Sequence, residues 1–213
     1  MIINKDIAAK TAESLLEIKA VKLNKTEPFT WASGWKSPIY CDNRKTLSYP
    51  SIRTYLRQNF ANIIKDEFGD IDVIAGVATG AIALGVLVAQ ELGKPFVYIR
   101  SGNKEHGMKN KIEGVINPGQ TVVVIEDLIS TGGSSLAAVE ALNEVGAIVK
   151  GMVAIFSYGF DVAEAGFKKA GVRLYTLSNY DILVAQALES GYIKEDDVKS
   201  LQEWRLNPAD WGK

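Results

Sequence analysis

Hydrophobic positions change their period several times along this chain. Over residues 6 to 20, Ile7, Ala8, Leu15, Leu16 and Ile18 recur at near-helical spacing with charges between them, which predicts a covering helix capped by Asp6 or Asn4. From Tyr49 to Phe68 the spacing of Ile52, Tyr55, Leu56, Phe60, Ile63 and Ile64 is helical again, and Gly69 ends it. Between these helices, residues 28 to 44 carry aromatic, β-prone segments around a Ser33-Gly34 turn and Pro38, the pattern of a short edge hairpin. Short apolar runs at 73 to 75, 95 to 99, 121 to 126, 148 to 156 and 172 to 177 read as five buried strands. Helical patterns lie between them, at 81 to 92, 136 to 145 and 160 to 170, and two more follow at 180 to 188 and 195 to 206. This alternation predicts an α/β fold: a central, mostly parallel five-stranded sheet flanked by helices. The whole of 1 to 213 reads as one domain, with an N-terminal helix and hairpin hood (about 1 to 45), a core (about 50 to 178) and C-terminal helices (about 179 to 213).

Composition narrows the partners. With 213 residues and 47% hydrophobic content the chain can bury a sizeable core. Lysine and arginine (24) nearly balance aspartate and glutamate (25), so no bulk field recruits nucleic acid or an acidic membrane. The single cysteine, Cys41, excludes an intramolecular disulfide framework and a Cys-x-x-Cys zinc cluster. No leader pattern and no apolar run of membrane length is present, so the expected location is the cytoplasm.

Chemistry concentrates in three places. Val122 to Ile125 run straight into two carboxylates, Glu126 and Asp127, and then into Leu128-Ile-Ser-Thr-Gly-Gly-Ser134 ahead of a helix. Glycines and hydroxyls at a helix N-terminus suit a phosphate, whereas the carboxylates suit neutral hydroxyls or a metal and would repel phosphate. Gly76-Val-Ala-Thr-Gly80 forms a second phosphate-friendly turn after a strand. Residues 100 to 113 have neither period and carry Arg100, Lys104, Lys109 and Lys111 against Glu105 and Glu113, with the only histidine, His106, among them. That is the composition of a solvated loop, or of one that closes over an anion. Gly114 to Thr121 nearly matches a P-loop, but Gln120 stands where the lysine belongs and the segment precedes its strand. One histidine also leaves no zinc-protease pair and no well-positioned triad base.

The run Val122-Val-Val-Ile-Glu-Asp-Leu-Ile-Ser-Thr-Gly-Gly-Ser134 resembles the phosphoribosyl pyrophosphate signature of the type I phosphoribosyltransferases, and its second half resembles the orotate phosphoribosyltransferases. Phe29-Thr-Trp-Ala-Ser-Gly-Trp-Lys-Ser-Pro38, Gly76 to Gly80 and Arg100-Ser-Gly-Asn-Lys-Glu-His-Gly107 agree in order and spacing. The resemblance implies roles residue by residue. Glu126 and Asp127 would accept from the ribose hydroxyls, and Leu128, Ile129, Ser130, Thr131, Gly132, Gly133 and Ser134 would hold the 5′-phosphate. Ala78 and Thr79, in the Gly76 to Gly80 turn, would meet the pyrophosphate. Arg100, Lys104 and His106 would be catalytic, closing over the leaving group, usually of the neighbouring subunit of a homodimer. Ser33, Gly34, Tyr40, Cys41 and Ser130 would bind orotate. Mg²⁺ would be held mainly by the substrate's own oxygens rather than by protein ligands. The resemblance thus implies an enzyme acting on orotate and phosphoribosyl pyrophosphate, with no nucleic-acid or membrane partner. A purine-type transferase and a non-catalytic phosphoribosyl pyrophosphate sensor are the alternatives. Three positions depart from the pattern: Ala32, Ser101 and the Ser157-Tyr158 region stand where the family often carries basic residues, with Lys36, Lys109 and Arg44 as candidates to compensate.

Overall fold

The computed structural model describes residues 1–24, 26–31, 34–100 and 111–211. Helix α1 (Lys5–Glu17) starts at Asn4, whose side-chain oxygen accepts from the Asp6 and Ile7 N–H groups at 2.8 and 3.1 Å. Two small antiparallel pairs follow. Strand β1 (Val21–Leu23) pairs with β4 (Ile39–Cys41), and β2 (Phe29–Thr30) pairs with β3 (Lys36–Ser37) around Gly34, whose φ of +85° suits glycine. A 3-10 helix (Asn43–Ser48) leads into α2 (Pro50–Phe68), which has proline in its first turn and ends at Gly69.

The core then alternates: β5 (Val73–Val77), α3 (Ile82–Leu92), β6 (Phe96–Ile99), β7 (Ile112–Glu113), β8 (Thr121–Ile129), α4 (Gly133–Glu144), β9 (Ile148–Ser157), α5 (Asp161–Lys169), β10 (Leu174–Asn179), α6 (Tyr180–Glu189) and α7 (Glu195–Leu206). The strands lie in the order β10-β9-β8-β5-β6-β7, all parallel except β7, which runs antiparallel to β6. The sheet therefore has six strands rather than the five expected. Strand β7 is two residues long and half-exposed, too short to print a period on the sequence.

Both faces of the sheet are covered, which is why its strands read as continuous apolar runs. Val123 and Ile125 of β8 face one core layer with Phe60, Leu84 and Leu183, while Val122 and Val124 face the other with Val139, Leu142 and Phe167. Strand β5 is flanked by β6 on one side and β8 on the other, so the chain reverses direction across the sheet between β5 and β8. A crevice opens at the carboxyl ends of strands at such a reversal. Two sequence boundaries shift there. Strand β8 continues through Ile129, paired with Ser157, and α4 begins at Gly133 rather than Leu136.

Candidate functional site

The acidic pair sits at the mouth of this crevice. Glu126 is only 4% exposed, and it accepts from the Ser135 hydroxyl at 2.8 Å and from the Asp127 N–H at 3.0 Å. Burial, then the neighbouring Asp127 charge, pushes the Glu126 carboxyl up to about 8. Burial raises Asp127 as well, with Arg44 among the groups opposing the shift. Without a ligand the site therefore disfavours carrying both negative charges. Neutral hydroxyl donors, which stabilise carboxylates without adding charge, suit such a pair.

The two turns close around it. A Cβ placed on Gly80 would overlap the Asp127 carboxyl, so the turn after β5 lies directly against the acidic pair, and glycine is what permits the approach. The Ala78–Thr79 peptide in that turn is cis, the Ala78 N–H is held by the Ile99 carbonyl at 2.8 Å, and Thr79 is exposed. Beyond β8, Gly132 takes φ +81° beside the Phe167 ring and caps α4, while Thr131, Gly133 and Ser134 are exposed. Nothing lies within 4 Å of a Cβ built on Gly133. The first N–H groups of α4, which lack intrahelical acceptors, thus border open space where an anion fits. Leu128 and Ile129 are not part of this cradle. Both are paired strand residues, and Ile129 is fully buried.

Beside the acidic pair lies a cleft of about 520 Å³, lined by Thr30, Trp31, Trp35, Tyr40, Cys41, Leu128, Ser130, Thr131 and Tyr158. Trp31 and Trp35 stack at 6.5 Å, and Trp31 lies 5.1 Å from Tyr158. Burial pushes the Cys41 thiol and the Tyr158 hydroxyl well up, so both are neutral and the cleft presents flat apolar walls with a few polar groups. Of the residues expected to bind the base, Tyr40, Cys41 and Ser130 line this cleft. Gly34 makes the hairpin turn instead, its N–H bonded to the Trp31 carbonyl at 2.8 Å. Ser33 lies outside the described residues. The sequence does not single out Trp31, Trp35, Thr30 or Tyr158 for this role, although alternation of aromatic residues along the hairpin carries a signal for the tryptophans. Leu128 is a cleft wall rather than part of a phosphate turn.

Of the basic loop, Lys104 and His106 lie outside the described residues. Arg100 is placed at its base, where its guanidinium meets Glu113 at 2.9 Å. With Lys111 and Ser134 it borders a second cleft of about 250 Å³ at the start of α4. Among the described residues no group of three or more histidine, cysteine or acidic side chains could hold a metal. The donor set is a carboxylate pair alone, which fits a magnesium ion that takes most of its oxygens from a bound phosphate ligand and water.

Residues 47–169 match the family model described as the phosphoribosyl transferase domain. An orotate phosphoribosyltransferase of Phocaeicola vulgatus is 60% identical over 200 residues, covering 94% of each chain. Among solved structures, orotate phosphoribosyltransferase of Aeropyrum pernix superposes with a TM-score of 0.74 at 27% identity, over 86% of this chain and 99% of that one. The UMP synthase of Leishmania donovani gives 0.77 at 28% identity over 92% of this chain, which spans 42% of that longer protein. With the acidic pair, the two glycine turns and the aromatic cleft gathered at one crevice, these matches place the chain in the phosphoribosyltransferase family, among the orotate phosphoribosyltransferases.

Proposed function

We propose that this protein transfers the 5-phosphoribosyl group of phosphoribosyl pyrophosphate to orotate, giving orotidine 5′-phosphate and pyrophosphate in the biosynthesis of pyrimidine nucleotides. The observation that carries the reading is the juxtaposition at the β5/β8 crevice. A carboxylate pair suited to sugar hydroxyls, Glu126 buried and Asp127 half-buried, lies beside a helix-terminal anion cradle and a flat, aromatic cleft sized for a planar base.

In this reading Glu126 and Asp127 accept from the ribose 2′- and 3′-hydroxyls, while Ser130 to Ser134 hold the 5′-phosphate. Ala78 and Thr79 face the pyrophosphate. The bond from ribose C1 to the pyrophosphate oxygen breaks with its electron pair leaving on pyrophosphate, and the orotate ring nitrogen forms the new bond from the opposite face, its N–H proton passing to the departing pyrophosphate or to water. Arg100, Lys104 and His106 stabilise the charge that develops on the leaving group. A magnesium ion held mainly by the donor's own oxygens would supply further neutralisation of that charge. No enzyme nucleophile is required, and closure over the site excludes water from a reactive donor. In this reading the enzyme is a homodimer in which the 100 to 113 segment serves the partner's site. Among the described residues no helix is long and apolar enough to cross a membrane.

The direct test follows orotate absorbance after adding phosphoribosyl pyrophosphate and Mg²⁺. Consumption of orotate is expected. Turnover with adenine or hypoxanthine and none with orotate would replace the substrate assignment, and binding of the donor without turnover of any base would make the protein a sensor.

A further inference from the structure

Asn43 joins the hood that frames the base cleft to the carboxylate end of β8. It is 1% exposed. Its Nδ2 donates to the main-chain carbonyl of Asp127 at 2.6 Å, across 84 positions of sequence. Its Oδ1 accepts from the Cys41 thiol at 3.2 Å, and Cys41 lines the cleft. Its own carbonyl accepts from the Thr46 hydroxyl at 2.6 Å within the same 3-10 helix, a bond separate from the amide's link to β8. One buried amide thus ties a wall of the base cleft to the residue placed against the sugar.

Resting on the reading above, we infer that Asn43 is a positioning residue that sets the distance and angle between the base ring and ribose C1. Asn43 is not among the residues lining the cleft, so the bond acts from outside it. Its effect is geometric: the hood is joined to the sheet through loops and short strands, and a side-chain bond to the β8 backbone removes the freedom to slide along the crevice. Reaction between two bound partners is steep in their separation, so a displacement of about 1 Å costs on the order of 100-fold in rate while leaving each partner bound.

Three variants separate this role from a purely structural one. Asn43→Ala removes the bond. Asn43→Asp keeps the shape and the acceptor for Cys41 but puts an oxygen where the Asp127 carbonyl needs a donor. Thr46→Val removes a buried hydrogen bond of the same 3-10 helix without touching the link to β8. For both Asn43 variants kcat is expected to fall about 10- to 100-fold, while the rise in thermal midpoint caused by phosphoribosyl pyrophosphate with Mg²⁺ stays close to that of the unaltered protein. Thr46→Val is expected to lower the midpoint yet keep kcat within about threefold. An Asn43→Asp protein with normal kcat would overturn the inference. So would a loss of kcat matched by an equal loss of the donor-induced midpoint rise, or one reproduced by Thr46→Val. If Asn43→Ala does not fold, the aspartate variant alone decides. Absence of orotate turnover in the unaltered protein would count against the substrate assignment and is read separately from any of these ratios.

Discussion

Glu126 is the one acidic side chain among the buried described residues, and its environment makes a pH prediction with a definite sign. Its carboxyl has an ordinary value of 4.5 in the unfolded chain and about 8 in the fold. Between those values the folded protein keeps a proton that the unfolded chain has released. Stability is therefore fully present below pH 4.5 and is lost as pH rises through about 8. At about 1.4 kcal/mol for each unit of separation, the effect is on the order of a few kcal/mol. Melting curves of the ligand-free protein from pH 5 to pH 8.5 should show a falling midpoint, and Glu126→Gln should flatten the slope; parallel slopes would mean that Glu126 is charged throughout. Gly80 gives a second residue-scale prediction. Its Cβ position is occupied by the Asp127 carboxyl, so Gly80→Ala forces apart the turn and the acidic pair. Overpacking of this kind costs about 1–3 kcal/mol, and because the displaced atoms are those proposed to meet the donor, KM for phosphoribosyl pyrophosphate should rise by roughly 5- to 100-fold. An unchanged KM would show that the turn yields freely. The carboxylate pair and both glycine turns were legible in the sequence because their residue types are unusual where they stand, at the ends of apolar runs.

At the scale of elements, α7 matters beyond covering the core. Trp204, fully buried, contacts Trp31 at 5.5 Å, Tyr158 at 5.7 Å, Phe160 at 5.6 Å and Tyr180 at 5.5 Å. The next residue, Arg205, donates to the Tyr158 and Gly159 carbonyls at 3.2 and 3.0 Å and pairs with Asp181. The C-terminal helix thereby backs the base cleft from behind, through the two aromatic walls it touches. Trp204→Ala should cost about 3–5 kcal/mol in stability. It should also raise KM for orotate, with the midpoint rise from phosphoribosyl pyrophosphate retained; an orotate KM equal to that of the unaltered protein would uncouple the helix from the cleft. The span of α7 and of α6 followed from periodicity, but nothing in the local pattern says that Trp204 reaches a hairpin near the N-terminus. Such long-range contacts leave no local signature, and neither did β1, β7 or the 3-10 helix, each too short to establish a period. Strand β8 reads short for a different reason. Glu126 and Asp127 interrupt its apolar run, yet Leu128 and Ile129 continue the ladder to Ser157 because the sheet's hydrogen bonds do not depend on side-chain polarity.

Over the whole molecule, the order of strands places both glycine turns side by side, and this is what the proposed single extended donor requires. The sequence supplied the turns, while their adjacency came from the reversal between β5 and β8, a property of topology rather than of any segment. Topology also sets where the basic segment is anchored. Its flanks are β6 and β7, on the far side of β5 from β8, and Arg100 is held there by Glu113 at 2.9 Å. In the proposed homodimer the segment reaches the partner's crevice, and mixing two inactive variants tests this without reference to where the segment lies. Lys104→Ala removes a charge from the basic segment, and Asp127→Asn removes one from the sugar site. Each homodimer should be nearly inactive. If the segment acts across the interface, random exchange yields half heterodimers, each with one intact site built from the Asp127 of one chain and the Lys104 of the other, so activity returns to about a quarter of that of the unaltered protein. If it acts within its own chain, every site in the mixture carries one defect, and no activity returns however completely the subunits exchange.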